Sequence, residues 1–334
     1  MADADLVLQG GGVKGTGLVG AITALTSAAD PYTVHRIAGT SAGAIVASML
    51  AAGYDAAEMN AIMTDLDFSQ FQDDHGIFAR HFEKIGEGLG LLLHEGLFLG
   101  QFLHHWIEQI LAAKNVHTWG DLKDDDPGSS LPPAQRYKLV VIVSDVSRGR
   151  MLRLPWDYES LLGVDPDTQS VADAVRSSAG IPFFFRPFHM TANPDVTHGH
   201  GEILCTDGGM LSNFPVGIFD RTDGQRPRWP TFGVKLSARQ SLAEANWDPD
   251  ADSIQLAKSL LGTMQNAHDQ AYVDQLSVAS RTIFVDTTGY NATDFHLTLE
   301  DKQKLFNNGM AAGQTFLGEW DWTKWQQGDY TTLA

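Results

Sequence analysis

The chain has 334 residues, 43% of them hydrophobic and 19% charged. That is room for a large buried core, in one big α/β domain or two smaller ones, and it excludes collagen, coiled coil and wholesale disorder. The formal net charge of −18 repels phosphate backbones and anionic headgroups, which argues against nonspecific nucleic-acid binding.

Residues 1–5 are too short and too acidic for a signal peptide. No run of about 18 apolar residues offers a membrane span. The single cysteine, Cys205, cannot close an internal disulfide. A cytoplasmic location is therefore expected, with signal-less export left open.

In chain order, residues 5–9 read as a buried strand that runs into Gly10-Gly11-Gly12, followed by a helix over 18–27. A second strand is expected over 32–38, rich in β-branched residues, then a turn at Gly39-Thr40 and an alanine-dense helix over 42–52. Two strand-turn-helix units so early predict a mostly parallel sheet covered by helices. Residues 55–112 carry a helical pattern, with Leu99, Phe102, Leu103, Trp106, Ile107, Ile110 and Leu111 at amphipathic spacing. Residues 124–127 open an exposed acidic loop. Strands are expected over 138–144, 151–154, 203–206, 231–235 and 281–286, with a long helix over 253–277. Thr298 and Asp301 have the spacing of a capping box for a last helix through Leu317. No repeat and no low-complexity linker divides the chain, so a single domain over 1–334 is expected. Its core motifs lie in 5–217, and 230–320 completes it.

Three segments carry chemistry. Gly39-Thr40-Ser41-Ala42-Gly43 is a G-x-S-x-G between a strand and a helix, where small neighbours permit the tight turn that exposes a serine hydroxyl. The helix that follows aims free amides and a positive dipole end at the same place. Gly10-Gly11-Gly12-Val13-Lys14-Gly15 lets backbone amides approach an anion closely. In acyl transfer that anion is the tetrahedral intermediate's oxygen. The same letters spell a dinucleotide fingerprint, but the acidic residue that fold wants at the end of the second strand is missing. Asp207-Gly208-Gly209, followed by Asn213-Phe214-Pro215, puts a carboxylate at a strand end. From there it can reach a serine on another strand and take its proton. In isolation Asp-Gly-Gly is more often a plain turn.

The three motifs in this order resemble patatin-like phospholipases, which share a Ser-Asp dyad with cytosolic phospholipase A2. Residues 174–182 and Phe185-Arg186-Pro187 also resemble the family's stretch before the Asp strand, and Ala292-Thr293-Asp294-Phe295 fits its bacterial members. The resemblance runs from Leu6 to about Pro215, and more loosely to the final helix. It implies a three-layer α/β/α fold with a central mixed, mostly parallel sheet, and hydrolysis of lipid esters. Ser41 would form the acyl-enzyme and Asp207 would be the base. Amides around Gly11, Gly12 and Val13, within the Gly10–Gly15 loop, would form the oxyanion hole. Gly39, Thr40, Ala42 and Gly43 would build the nucleophile elbow, with Gly208 and Gly209 in the Asp loop. Lys14 stands where the family has Arg or Lys, and steadies either the loop or the oxyanion.

No cofactor or metal is expected. Neither His94, His104-His105 nor His198-x-His200 has zinc-site spacing, and no EF-hand loop is present. The partner is a lipid or ester substrate, with transient contact to a membrane or lipid aggregate; the oligomeric state is open. A Ser-Asp-His triad through His268 or His296 is formally in order, but Ser41 comes too early for an ordinary α/β-hydrolase. Residues 67–97 include Gly86, Gly88 and Gly90 among leucines, either a lipid-entrance lid or a buried helix after a glycine turn. Trp320, Trp322 and Trp325 suit either terminal packing or a lipid interface. Two other functions stay open: a short-chain carboxylesterase, and a noncatalytic nucleotide-binding module on the Gly10–Gly15 loop.

Overall fold

The computed structural model describes residues 2–73, 98–237 and 275–330, together with Thr263. Of the helix expected over 253–277, residues 253–274 other than Thr263 lie outside the described residues, as do the Gly86–Gly90 patch, His94 and His268.

Strand β1 (Ala2–Leu8) pairs in parallel with β2 (Tyr32–Thr40) and with β7 (Thr231–Lys235). In turn β2 pairs in parallel with β3 (Leu139–Asp145), and β7 with β8 (Thr282–Phe284). The remaining pairings are antiparallel. β3 joins β4 (Arg150–Leu154) and β6 (Glu202–Asp207), and β6 joins β5 (Phe188–Thr191). The sheet is mixed, as expected. Its core strands read as near-continuous apolar runs because both faces are covered.

Alternate residues of each strand enter different cores. Leu6, Leu8, Ile37, Val141 and Val143 face one apolar cluster. It is closed by α1 (Gly15–Thr26), α2 (Ala42–Ala51), α3 (Ala56–Asp65), α4 (Gln101–Ala112) and α5 (Val171–Ser178). After a short helix α6 (Leu276–Ala279), the long α7 (Leu299–Glu319) closes the same side through Phe316 and packs along α1. Val7, Ala38 and Val140 face the other cluster, built among the described residues by Phe214, Val216, Phe219 and Val278 of α6. A last helix, α8 (Trp322–Gln326), ends the described chain.

Several boundaries move. β2 continues through Gly39 and Thr40 instead of turning there, because both residues keep pairing with β3. α1 starts at Gly15, three residues early, on a 3-10 turn over Gly12–Lys14. The stretch 55–112 breaks after Asp65, and α4 begins only at Gln101: Leu99 lies outside it, and the Asp73 carboxylate accepts the first amides, Gly100 (2.8 Å), Gln101 (2.5 Å) and Phe102 (3.0 Å). The capping box forms, with the Asp301 amide donating to Thr298 Oγ1 and the Thr298 amide to Asp301 Oδ2, each at 3.1 Å. Of the two readings of the tryptophan tail, packing is what is seen. Trp320 stacks on Phe316 with centroids 5.5 Å apart, and Trp325 Nε1 donates to the Ser277 carbonyl at 3.2 Å.

Candidate functional site

One edge of β3 is shared by two strands, and this sharing creates the site. β4 occupies one edge over Val141–Asp145. On the opposite edge, β2 pairs up to Thr40↔Ile142, and β6, arriving from the other direction, begins at Asp207↔Val143. The C-terminal ends of β2 and β6 therefore meet head to head on consecutive residues of β3. Ser41 and Asp207, 166 residues apart in sequence, become neighbours: Ser41 Oγ donates to Asp207 Oδ2 at 2.7 Å.

Ser41 is 5% exposed and has φ 53° and ψ −124°, a left-handed conformation unusual for a serine. Its backbone is clamped on both sides. The amide donates to Ser178 Oγ at 2.9 Å, and the carbonyl accepts the amides of Ala44 (2.8 Å) and Ile45 (3.2 Å) as α2 starts. Thr40 Oγ1 donates to the Ser212 carbonyl at 3.1 Å, tying the elbow to the chain after Asp207. Glycine is required at 43, where a Cβ would sit 2.4 Å from the Leu8 carbonyl oxygen and 2.7 Å from that of Gln9. The elbow helix thus lies against the end of β1, where the glycine loop departs.

Asp207 is 1% exposed, and no cation pairs with it among the described residues. Its Oδ1 accepts the Gly209 amide at 2.7 Å, its amide donates to the Gly180 carbonyl at 3.0 Å, and its carbonyl accepts Ser144 Oγ at 2.9 Å. Burial pushes the carboxyl up to about 6, against the Ser41 hydroxyl and Gly209 amide, which pull it down. Gly208 and Gly209 open a 3-10 turn, so the carboxylate caps the turn that follows it. Among the described residues no histidine bonds Asp207; His296 is exposed. His104 instead lies 2.8 Å from the Asp173 carboxylate, and His105 Nδ1 lies 2.8 Å from the Gln101 carbonyl.

In the glycine loop, Gly12 has φ 57°, and a Cβ there would meet the Ala292 carbonyl oxygen at 1.9 Å. That carbonyl accepts the Val13 amide at 3.1 Å. The Val13 amide, expected among the oxyanion donors, is thus already bonded to protein. The amides of Gly10, Lys14 and Gly15 are engaged as well, with the carbonyls of Asn213 (3.2 Å), Gly11 (3.3 Å) and Gly12. Gly11 and Gly12 are left as the loop amides with no acceptor among the described residues. Lys14 is pulled down to about 8, first by burial and then by the Lys235 charge.

A family model described as patatin-like phospholipase matches residues 6–220. The chain belongs to that family. It is 34% identical to the protein YqhO of Bacillus subtilis (strain 168) over 316 residues, 95% of this chain and 98% of YqhO. Protein R571 of Acanthamoeba polyphaga mimivirus is 23% identical over 92% of this chain and 91% of its own. The crystal structure of VipD from Legionella pneumophila is alike in fold, with a TM-score of 0.50 at 18% identity over 94% of this chain; the chain spans 66% of VipD. Membership of the patatin-like family implies lipid acyl hydrolase activity.

An apolar pocket opens onto Ser41 in this patatin-like chain. It encloses about 470 Å³, counting the part open to solvent, and Ile45, Met63, Phe71, Trp106 and Phe295 are among its walls. Among the described residues, no charged side chain lines it. Sequence reasoning missed two positioning contacts. Ser178 was visible only inside a family-like stretch, and Ala292 likewise; neither has a spacing that foretells a contact with a residue more than 100 positions away. Among the described residues, no helix is long and apolar enough to cross a membrane.

Proposed function

We propose that the protein hydrolyses the carboxylic esters of acyl lipids through an acyl-enzyme on Ser41, with Asp207 as general base. The observation that carries this reading is the 2.7 Å hydrogen bond from Ser41 Oγ to Asp207 Oδ2 beside an apolar pocket that Ser41 lines.

As Ser41 Oγ attacks the ester carbonyl, its proton passes to Asp207, whose raised affinity for protons suits the transfer near neutral pH. The Gly11 and Gly12 amides face the developing oxyanion; each such donor is worth about 3 kcal/mol. Collapse breaks the ester C–O bond, and the leaving alkoxide takes the proton from Asp207. Water, deprotonated by the same carboxylate, then releases the fatty acid and restores Ser41. The apolar walls take the acyl chain, which favours substrates longer than acetate or butyrate. Phospholipid is the substrate class proposed, with attack at the acyl ester rather than at phosphate.

The test is hydrolysis of p-nitrophenyl esters from acetyl to palmitoyl, and of phosphatidylcholine, by wild type, Ser41→Ala and Asp207→Asn. Both variants should fold and lose activity, and the rate should rise with chain length. Fastest turnover of acetate and none of phosphatidylcholine would turn the reading into a simple esterase. If wild type is inactive and an organophosphonate leaves Ser41 unlabelled, the hydrolase reading fails, and nucleotide binding by the glycine loop is tested next.

A further inference from the structure

Phe183 stands out in two independent ways. Its φ is 67°, a left-handed value that glycine adopts freely and a bulky side chain rarely does. It is also 38% exposed, in a run of three phenylalanines whose other members, Phe184 and Phe185, are buried. Those two pack their rings against Phe98 and Phe295; Phe183 has no ring partner among the described residues.

The turn holding Phe183 is firmly framed. The amides of Phe184 (3.1 Å) and Phe185 (2.9 Å) both donate to the Ile181 carbonyl, with Pro182 second and Phe183 third in the turn. A positive φ at the third position, after proline, is where glycine or asparagine usually sits. Upstream, the Gly180 carbonyl accepts the Asp207 amide (3.0 Å) and Thr206 Oγ1 (2.7 Å). Downstream, the Phe184 carbonyl accepts the Phe98 amide at 2.7 Å, and the Arg186 amide donates to the Phe98 carbonyl at 3.0 Å. Glycine would serve this turn with less strain. A phenylalanine adds backbone cost and bare apolar surface, and joins neither apolar cluster of the described residues in return.

The turn also stands at the pocket. Ile181 and Phe185, on either side of Phe183, line the apolar cavity over Ser41. We propose that Phe183 is an interfacial anchor, inserting into a zwitterionic lipid surface and seating the pocket mouth against it. An aromatic ring suits the boundary between headgroups and acyl chains. The net charge of −18 selects against anionic surfaces. The proposal rests on the reading of the site as a lipid acyl hydrolase.

Binding is therefore tested apart from catalysis, by sedimentation with phosphatidylcholine vesicles of protein carrying Ser41→Ala. Adding Phe183→Gly keeps the left-handed backbone and removes the ring; it should weaken partitioning about tenfold, the effect expected for a phenylalanine ring buried in lipid. Phe183→Trp should keep partitioning, and phosphatidylserine in the vesicles should reduce it. With Ser41 intact, Phe183→Gly should hydrolyse soluble p-nitrophenyl butyrate like wild type but act more slowly on vesicle lipid. Partitioning unchanged by Phe183→Gly, or no partitioning of the Ser41→Ala protein at all, overturns the anchor. Loss of partitioning in Phe183→Gly, in a protein whose wild type hydrolyses no ester, leaves the anchor standing and removes the hydrolase reading.

Discussion

Two buried carboxylates in one sheet make an instructive pair. Asp5, in the middle of β1, and Asp207, at the end of β6, are each only 1% exposed, and burial pushes both carboxyls upward. Their partners differ. At Asp5 the β1–β2 register slips between Ala4↔Val34 and Leu6↔Ile37, so two residues of β2 oppose one of β1. This bulge brings Arg36 to bear: its amide (3.2 Å) and Nε (3.0 Å) donate to Asp5 Oδ1, and Nη2 to Oδ2. Asp207 receives one hydroxyl and one amide, both neutral. Equal burial thus yields a carboxylate locked to a cation at one place. At the other, among the described residues, it leaves a carboxylate with no cation beside it, held by a serine hydroxyl and a backbone amide, each at 2.7 Å.

Replacing each acid by its amide should separate the two roles. Asp207→Asn should lower ester hydrolysis by about 10³-fold or more in a folded protein, because the group that Ser41 Oγ bonds loses its basicity. Near-normal turnover in that variant would remove the base assignment. Asp5→Asn should leave turnover per folded molecule intact and instead cost about 3–5 kcal/mol of stability, since Arg36 stays buried without its counter-charge. Denaturant titration at pH 7 reads that loss. An unchanged midpoint would mean that Arg36 finds water or another acceptor.

The next effect is smaller and depends on pH. Because Asp207 has a folded pKa of about 6, raised from 3.8, the native state holds its proton more tightly than the unfolded chain does. Stability from this group is therefore present at low pH, falls as pH rises from about 4 to 6, and is flat above. Asp207→Asn should gain up to about 3 kcal/mol at pH 8 and nothing at pH 4. Wild-type activity should run the other way, rising through about pH 6 as the carboxylate forms. A variant no more stable than wild type at pH 8 would show that Asp207 carries little strain from burial.

The pairing of Ser41 with Asp207 could be anticipated from the sequence because both residues sit in contiguous motifs. Gly39 to Gly43 must turn tightly after a strand, and Gly208-Gly209 must follow the acid closely. The pairing of Asp5 with Arg36 could not. Nothing near Asp5 announces a bulge that aims Arg36 at it, since a one-residue slip depends on how two strands settle against each other. The head-to-head meeting of β2 and β6 on β3 is equally silent, because antiparallel and parallel partners of one edge leave the same apolar alternation in β3. The Gly10–Gly15 loop was recognisable as an anion-binding shape. That the Gly10 and Val13 amides are already engaged was decided by Asn213 and Ala292, each more than 200 residues away in the chain.

The smallest effect concerns the geometry that makes Asp207 useful. Ser178 Oγ accepts the Ser41 amide at 2.9 Å and donates to the Ile142 carbonyl at 2.6 Å, so one hydroxyl ties the elbow to the strand that also carries β6. Ser178→Ala leaves two buried backbone groups short of a partner, a loss of about 1–3 kcal/mol. It touches neither the acid nor the apolar walls. The expected signature is a modest fall in kcat with KM for a long-chain ester unchanged, and a pH midpoint still near 6, because the carboxylate's surroundings are intact. Ser178→Thr, which keeps the hydroxyl, should recover most of the rate. A shifted pH midpoint in Ser178→Ala would mean that the elbow's position also sets the proton affinity of Asp207. The 2.7 Å bond between Ser41 and Asp207 would then be a consequence of the clamp at Ser178, and not of the strand ends alone.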